Sequence, residues 1–126
     1  MKKIINTPNA PAPIGPYNQA ILSGNTLYLS GQIATNPQTG DLILDDISSE
    51  TQQVMKNLEA VLKAAEMTFD HVVKSTIFIS DMNNFSLINE VYASYFDEAS
   101  APARETVQVA KLPKNVNVEI SMIAVK

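Results

Sequence analysis

Arg104 and Glu119 are the residues of this chain whose types and setting could do the most specific chemistry. The first stands in Pro102-Ala103-Arg104-Glu105-Thr106-Val107, and the second in Val118-Glu119-Ile120, beyond Leu112-Pro113. An arginine stays charged at any working pH, and its planar fork grips a carboxylate through two parallel hydrogen bonds. A glutamate can orient or deprotonate a water molecule. The pair suits a site that clamps a small organic acid and adds water to it, with neither metal nor covalent intermediate.

Other chemistries lack their parts. There is no cysteine, which removes disulfides, thiolate metal sites and thiol nucleophiles together. The single histidine, His71, follows Asp70 at the entrance to a strand and reads as a turn residue; with scattered acids it gives no metal-ligand spacing. Gly15, Gly24, Gly31 and Gly40 are isolated, so no phosphate-cradling loop is visible and nucleotide cofactors have no visible site. A formal net charge of −4 with dispersed lysines gives no electrostatic reason to bind nucleic acid. The apolar stretch near Met1 stops after Ile4-Ile5, and no segment approaches membrane-spanning length. The plain expectation is a soluble cytoplasmic protein with no membrane partner.

At 126 residues, 45% apolar and 17% charged, the chain is read as one domain over 1–126. Pro8, Pro11, Pro13 and Pro16 with Gly15 predict an extended entry segment. Order begins near Tyr17: residues 18–22 and 26–30 flank the turn Ser23-Gly24-Asn25, and Gly31 ends the second strand. Leu42-Ile43-Leu44 suggests a short edge strand. Ser49 with Gln52 has the capping-box pattern, followed by Val54, Leu58, Val61, Leu62 and Ala65 at helical spacing. The β-branched run 72–79 reads as a central strand. Asn83 or Asn84 then caps a second helix burying Leu87, Ile88, Val91, Tyr92, Tyr95 and Phe96, with Asn89 beside that stripe. Pro102 breaks this helix, and residues 106–110 and 116–125 give the last strands.

The order ββ(β)αβαββ predicts an α+β two-layer domain, a mixed sheet with two helices on one face. The other face is mixed in character, with Asn117, Glu119 and Ser121 forming a polar wall beside Ile123 and Val125. An uncovered face of this kind suits a subunit interface, so a homo-oligomer is expected. If the last two strands form a hairpin with Ala110 opposite Val116, Glu119 faces Val107, and Arg104 lies about 10 Å along the strand. A substrate or a second subunit would have to bridge that gap.

Five ordered motifs carry a family resemblance: Gly15-Pro16-Tyr17-Asn18-Gln19-Ala20, Ser30-Gly31-Gln32-Ile33, Met82-Asn83-Asn84-Phe85, Asn89-Glu90-Val91-Tyr92, and Pro102-Ala103-Arg104 through Glu119-Ile120. Nearly end to end, the chain resembles the reactive-intermediate deaminase family (RidA, YjgF-like). The resemblance implies a chorismate-mutase-like fold, a homotrimer with sheets packed around its centre, and ligand clefts between subunits. It also implies cofactor-free hydrolysis of 2-imino acids, the 2-iminobutanoate and 2-iminopropanoate class released by pyridoxal-phosphate dehydratases, to 2-keto acids and ammonia. A non-catalytic regulatory trimer binding a 2-keto acid or amino acid is the alternative. By motif, Arg104 would bind the substrate carboxylate and Glu119 would position water. Tyr17, Ser30, Gly31, Asn89 and Thr106 would line the pocket. Glu105 departs from the small residue usual after the arginine, and strand alternation should turn it away from Arg104.

Overall fold

Alternation along the last strand sets the layer plan. In β6 (Val118–Val125), Val118, Ile120, Met122 and Ala124 are buried, while Glu119, Ser121 and Ile123 lie half-buried on the other face. The computed structural model describes residues 1–126, and its other strands are β1 (Lys2–Ile5), β2 (Ala20–Ser23), β3 (Thr26–Gln32), β4 (Val72–Ile79) and β5 (Ala103–Gln108). They form one six-stranded sheet in the order β1-β2-β3-β6-β4-β5. Only β4 and β5 run parallel. Helices α1 (Ile47–Ala64) and α2 (Phe85–Ala93) pack together on one face, as the α+β reading expects. No helix is long and apolar enough to cross a membrane.

The core lies between the helices and β3, β6 and β4. Val54, Met55, Leu58, Val61 and Leu62 of α1 recur at i, i+3 and i+4 and meet Leu27, Leu29, Ile77, Ile79, Ile120 and Met122. Removing even one of these larger side chains leaves a cavity that typically costs about 2–5 kcal/mol. The helix start differs from expectation. Asp46 is the cap: its Oδ1 accepts from the Ser49 amide at 2.7 Å, so Ser49 is the recipient rather than the cap. Asn84 occupies the position before α2 without a side-chain bond, and Asp81 caps the 3₁₀ turn Met82–Asn84 ahead of it. Leu87, expected inside, is 47% exposed.

Two other expectations change. Residues 2–5 add an edge strand, β1, whose only buried residue is Ile5; a strand that short carries no readable alternation. Residues 42–44 make a single bridge, Thr35 to Leu42. The hairpin register needs the larger correction. Phe78 of β4 is paired with Glu119 on one side and with Val107 on the other. The predicted alignment of residues 119 and 107 along the strands holds, but β4 is inserted between them, and the connection 109–117, longer than the loop of a tight hairpin, leaves room for it.

Irregular backbone is held by buried side chains. Gln19, 2% exposed, accepts from the Thr7 amide and donates to the carbonyls of Thr7, Ala10 and Pro11, fixing the proline-rich entry segment. Glu50, fully buried on α1, accepts from the amides of Asn117 (2.8 Å) and Val118 (3.2 Å) and from Asn117 Nδ2 (2.7 Å). Asn117 therefore turns toward the helix layer and is not part of the predicted wall with Glu119. Glu50→Ala strands these donors, each worth about 1–3 kcal/mol when left buried and unpaired. The expected net loss is about 2–4 kcal/mol, seen as a lower urea midpoint with unchanged m, and Glu50→Gln, which keeps one acceptor, should lose less.

Candidate functional site

Helical spacing assembles the surroundings of Arg104. Phe85, Asn89 and Tyr92, at i, i+4 and i+7, share one face of α2 above the start of β5. Asn89 Oδ1 accepts from Arg104 Nη1 at 2.5 Å, and the guanidinium carbon lies 5.7 Å from the Phe85 ring centre and 5.2 Å from that of Tyr92. The Asn89 bond and the two rings thus orient the fork, and its remaining donors have no side-chain partner within the chain. The Tyr92 hydroxyl in turn bonds Ser75 Oγ at 2.8 Å, and burial raises its pKa, outweighing Ser75 and the Arg104 charge. It stays a neutral prop for the cation.

No carboxylate answers Arg104. The one ion pair in the chain joins Lys74 Nζ to Glu105 Oε1 at 3.3 Å, and Glu105 also accepts from Thr76 Oγ1 at 2.8 Å. Glu105 points to the opposite sheet face from Arg104, as alternation requires, and the Thr76 and Lys74 bonds hold its pKa below the usual glutamate value. It does not compete for the guanidinium. Two residues on from Arg104, Thr106 carries a buried Oγ1 with no hydrogen-bond partner.

A second set of predicted residues gathers elsewhere. The register of β3 on β6 shifts between Leu29 and Gln32, so Ser30 and Gly31 form a bulge rather than a strand end. Ser30 is pinned there by its amide on the Gln19 carbonyl and its hydroxyl on the Asn18 carbonyl at 2.6 Å. Gly31 lies against the Glu119 carboxylate so closely that a Cβ on residue 31 would collide with it. Tyr17, 51% exposed, follows the Gly15 turn at φ 134°, which an L side chain rarely adopts, and accepts from the Ile14 amide at 3.3 Å. Tyr17 and Gly31 line a cavity of about 600 Å³ with Pro113 and Lys114. Sequence reasoning passed over Lys114, whose only signal was its place after Leu112-Pro113.

These two sets do not meet within one chain. Arg104, Asn89 and Thr106 lie on the helix side of β5; Glu119 lies on the open side of β6, with β4 between. Two inter-strand steps and a three-residue offset put their backbones about 14 Å apart, with side chains on opposite faces. The predicted pair is therefore not a pair in the isolated chain. Each half is incomplete in a complementary way: a cation with no anion, and a carboxylate, pKa raised by burial, with no cation.

Comparison with known proteins adds independent findings. The family model described as Endoribonuclease L-PSP matches residues 7–126. The mouse 2-iminobutanoate/2-iminopropanoate deaminase is 46% identical over 126 residues, 100% of this chain and 93% of that protein. The Yersinia pestis protein YyfA, described as of the Rid family and of unknown function, is 52% identical with a TM-score of 0.97, covering 100% of each chain. Escherichia coli TdcF, solved with bound serine, is 44% identical with a TM-score of 0.92, covering 98% of each.

The raised pKa of Glu119 fixes a stability signature. A carboxyl with a higher pKa folded than unfolded favours folding while protonated, and that contribution disappears as pH rises through the folded value. In dilute, unassembled protein, Glu119→Gln should leave stability unchanged at acid pH and raise it above the Glu119 pKa. Urea melts of both proteins across that range test this; a constant difference at all pH values would contradict it.

Proposed function

This chain belongs to the Endoribonuclease L-PSP family, that of the RidA and YjgF-like proteins, and we propose that it hydrolyses reactive 2-imino acids to 2-keto acids and ammonia. The observation that carries this reading is the pair of unanswered charges. A guanidinium oriented by Asn89 and two rings, with no carboxylate of its own, fits an organic acid. A half-buried carboxylate of raised pKa beside a backbone bulge fits a water-activating base. The deaminase relative supplies the substrate class.

The halves can cooperate if two copies face each other, and a homotrimer with its clefts between subunits is the assembly we propose. Arg104 of one copy holds the substrate carboxylate, with Asn89 and Thr106 beside it. Glu119 of the next copy holds the water, with Tyr17, Ser30 and Gly31 forming the facing wall. Water attacks the carbon of the protonated imine as a water proton passes to Glu119, and a neutral carbinolamine forms. Glu119 returns that proton to nitrogen, the C–N bond breaks as the carbinolamine hydroxyl gives its proton to the Glu119 carboxylate and becomes the carbonyl, and ammonia and the 2-keto acid leave. A carboxyl whose pKa is already raised suits holding that proton between steps. The residues described accomplish each step without metal or cofactor, in the cytoplasm where we place the protein.

Binding without turnover is the second reading, and the serine bound to TdcF favours it, since that ligand also presents a carboxylate. Release of ammonia from freshly generated 2-iminobutanoate separates the two. RNA cleavage, which the family description names, fits less well. The net charge is −4, whereas phosphate-backbone binding relies on clustered Lys and Arg.

Arg104→Ala should lower kcat/KM about 10²–10³-fold, the equivalent of losing two charge-assisted hydrogen bonds, with the fold intact because Arg104 makes no ion pair. Glu119→Gln should lower kcat about 10²–10⁴-fold as a lost general base. Co-expression of the two inactive variants should restore activity, because a cleft between copies can draw Arg104 from one and Glu119 from the other. Wild-type ammonia release by Arg104→Ala would defeat the assignment, and absence of complementation would defeat the shared cleft.

A further inference from the structure

The turn Pro113–Asn115 is strained. Lys114 at φ 55° and Asn115 at φ 56° are consecutive non-glycine residues in the left-handed region, which L side chains disfavour. Such strain persists only where the surroundings over-determine it. Here the connection is held at its far end by the buried Glu50, through the Asn117 and Val118 amides. At its near end the Asn115 amide bonds the Leu112 carbonyl at 3.0 Å. The result is a fixed turn that sets Lys114 on the wall of the 600 Å³ cavity shared with Tyr17 and Gly31.

Lys114 is the one charged residue on that wall. It makes no ion pair and donates no side-chain hydrogen bond within the chain. The cavity adjoins Gly31, against which the Glu119 carboxylate lies. A substrate anchored by its α-carboxylate on Arg104, with its reacting carbon beside Glu119, would extend its side chain into this space, which far exceeds a two-carbon chain. We infer that Lys114 is a specificity-determining residue that recognises a second carboxylate, so that the cleft accepts dicarboxylic 2-imino acids as well as short alkyl ones. This rests on the proposed reading of the site, in which Arg104 takes the first carboxylate.

Glycine adopts positive φ without strain, so Lys114→Gly removes the cation and keeps the turn, while Lys114→Arg keeps the charge. Calorimetric titration with 2-oxobutanoate and 2-oxoglutarate as product-like probes, at one ionic strength, is the test. In Lys114→Gly, affinity for the dicarboxylic acid should fall about tenfold, the scale of one charge-assisted hydrogen bond. The monocarboxylic acid should change less than twofold, and Lys114→Arg should restore most of the difference. Equal weakening of both acids, or of neither, overturns the assignment. The same titration of Arg104→Ala separates the two ideas: loss of both acids there, with Lys114→Gly unchanged, sinks the Lys114 role alone. Unchanged binding by Arg104→Ala sinks the site reading, and no binding to the wild type sinks both.

Discussion

Strand β4 is paired on both edges over Lys74–Ile79, antiparallel to β6 and parallel to β5, and the separation of Arg104 from Glu119 follows from that placement. Because β4 separates the strands carrying Arg104 and Glu119, the two charges are kept apart laterally. Because Arg104 and Glu119 occupy opposite phases of the pleat, they are also kept on opposite faces. A direct hairpin between β5 and β6 in the same alignment would have removed the lateral separation and left the three-residue offset and the opposite faces. With β4 inserted, no rotamer change can bring the groups together, and each must find its partner outside the chain.

Unanswered charge has a physical consequence for each half. The Arg104 guanidinium lies against the Phe85 and Tyr92 rings, whose cation–π contacts hold it in place without neutralising its charge. Glu119 has the mirror problem, since burial raises its pKa and nothing nearby lowers it. The surface acid that could have neutralised Arg104, its neighbour Glu105, is instead bound by Lys74 and Thr76 across the sheet. Alternation along one strand thus keeps a carboxylate one residue away from competing, and leaves the arginine's open donors for an external acid.

The elements with long periodic signals were legible from sequence, and those defined by irregular backbone were not. Helix α1 follows from Val54, Leu58, Val61 and Leu62, and β4 from its β-branched run. The alternation of β6 gave the buried face correctly. Strand adjacency was beyond reach, because the insertion of β4 is decided by pairing that local patterns do not encode. The Arg104 cluster was half visible, Asn89 and Tyr92 lying in one motif but Phe85 in another. The bulge at Ser30-Gly31 left no local mark, since an extra residue in one strand appears only against its partner.

Two buried polar side chains that take no part in the proposed chemistry, Gln19 and Glu50, hold the irregular segments around the site. Tyr17 follows a proline-rich segment, and Lys114 sits in a left-handed turn, so neither can be fixed by ladder hydrogen bonds. Buried backbone still needs partners. Gln19 supplies them to residues 7–11, and Glu50 to residues 117–118. Both sit on regular elements or at their edge, where neighbouring packing limits their movement, so rigidity passes from the sheet and α1 to the segments that carry Tyr17 and Lys114. A more polar surface at these positions could not substitute, because exposed side chains exchange partners with water and transmit no fixed geometry. Burying the side-chain amide of Gln19 and the carboxyl group of Glu50, each satisfied by backbone partners, is what lets non-repetitive chain line a cleft in a defined shape.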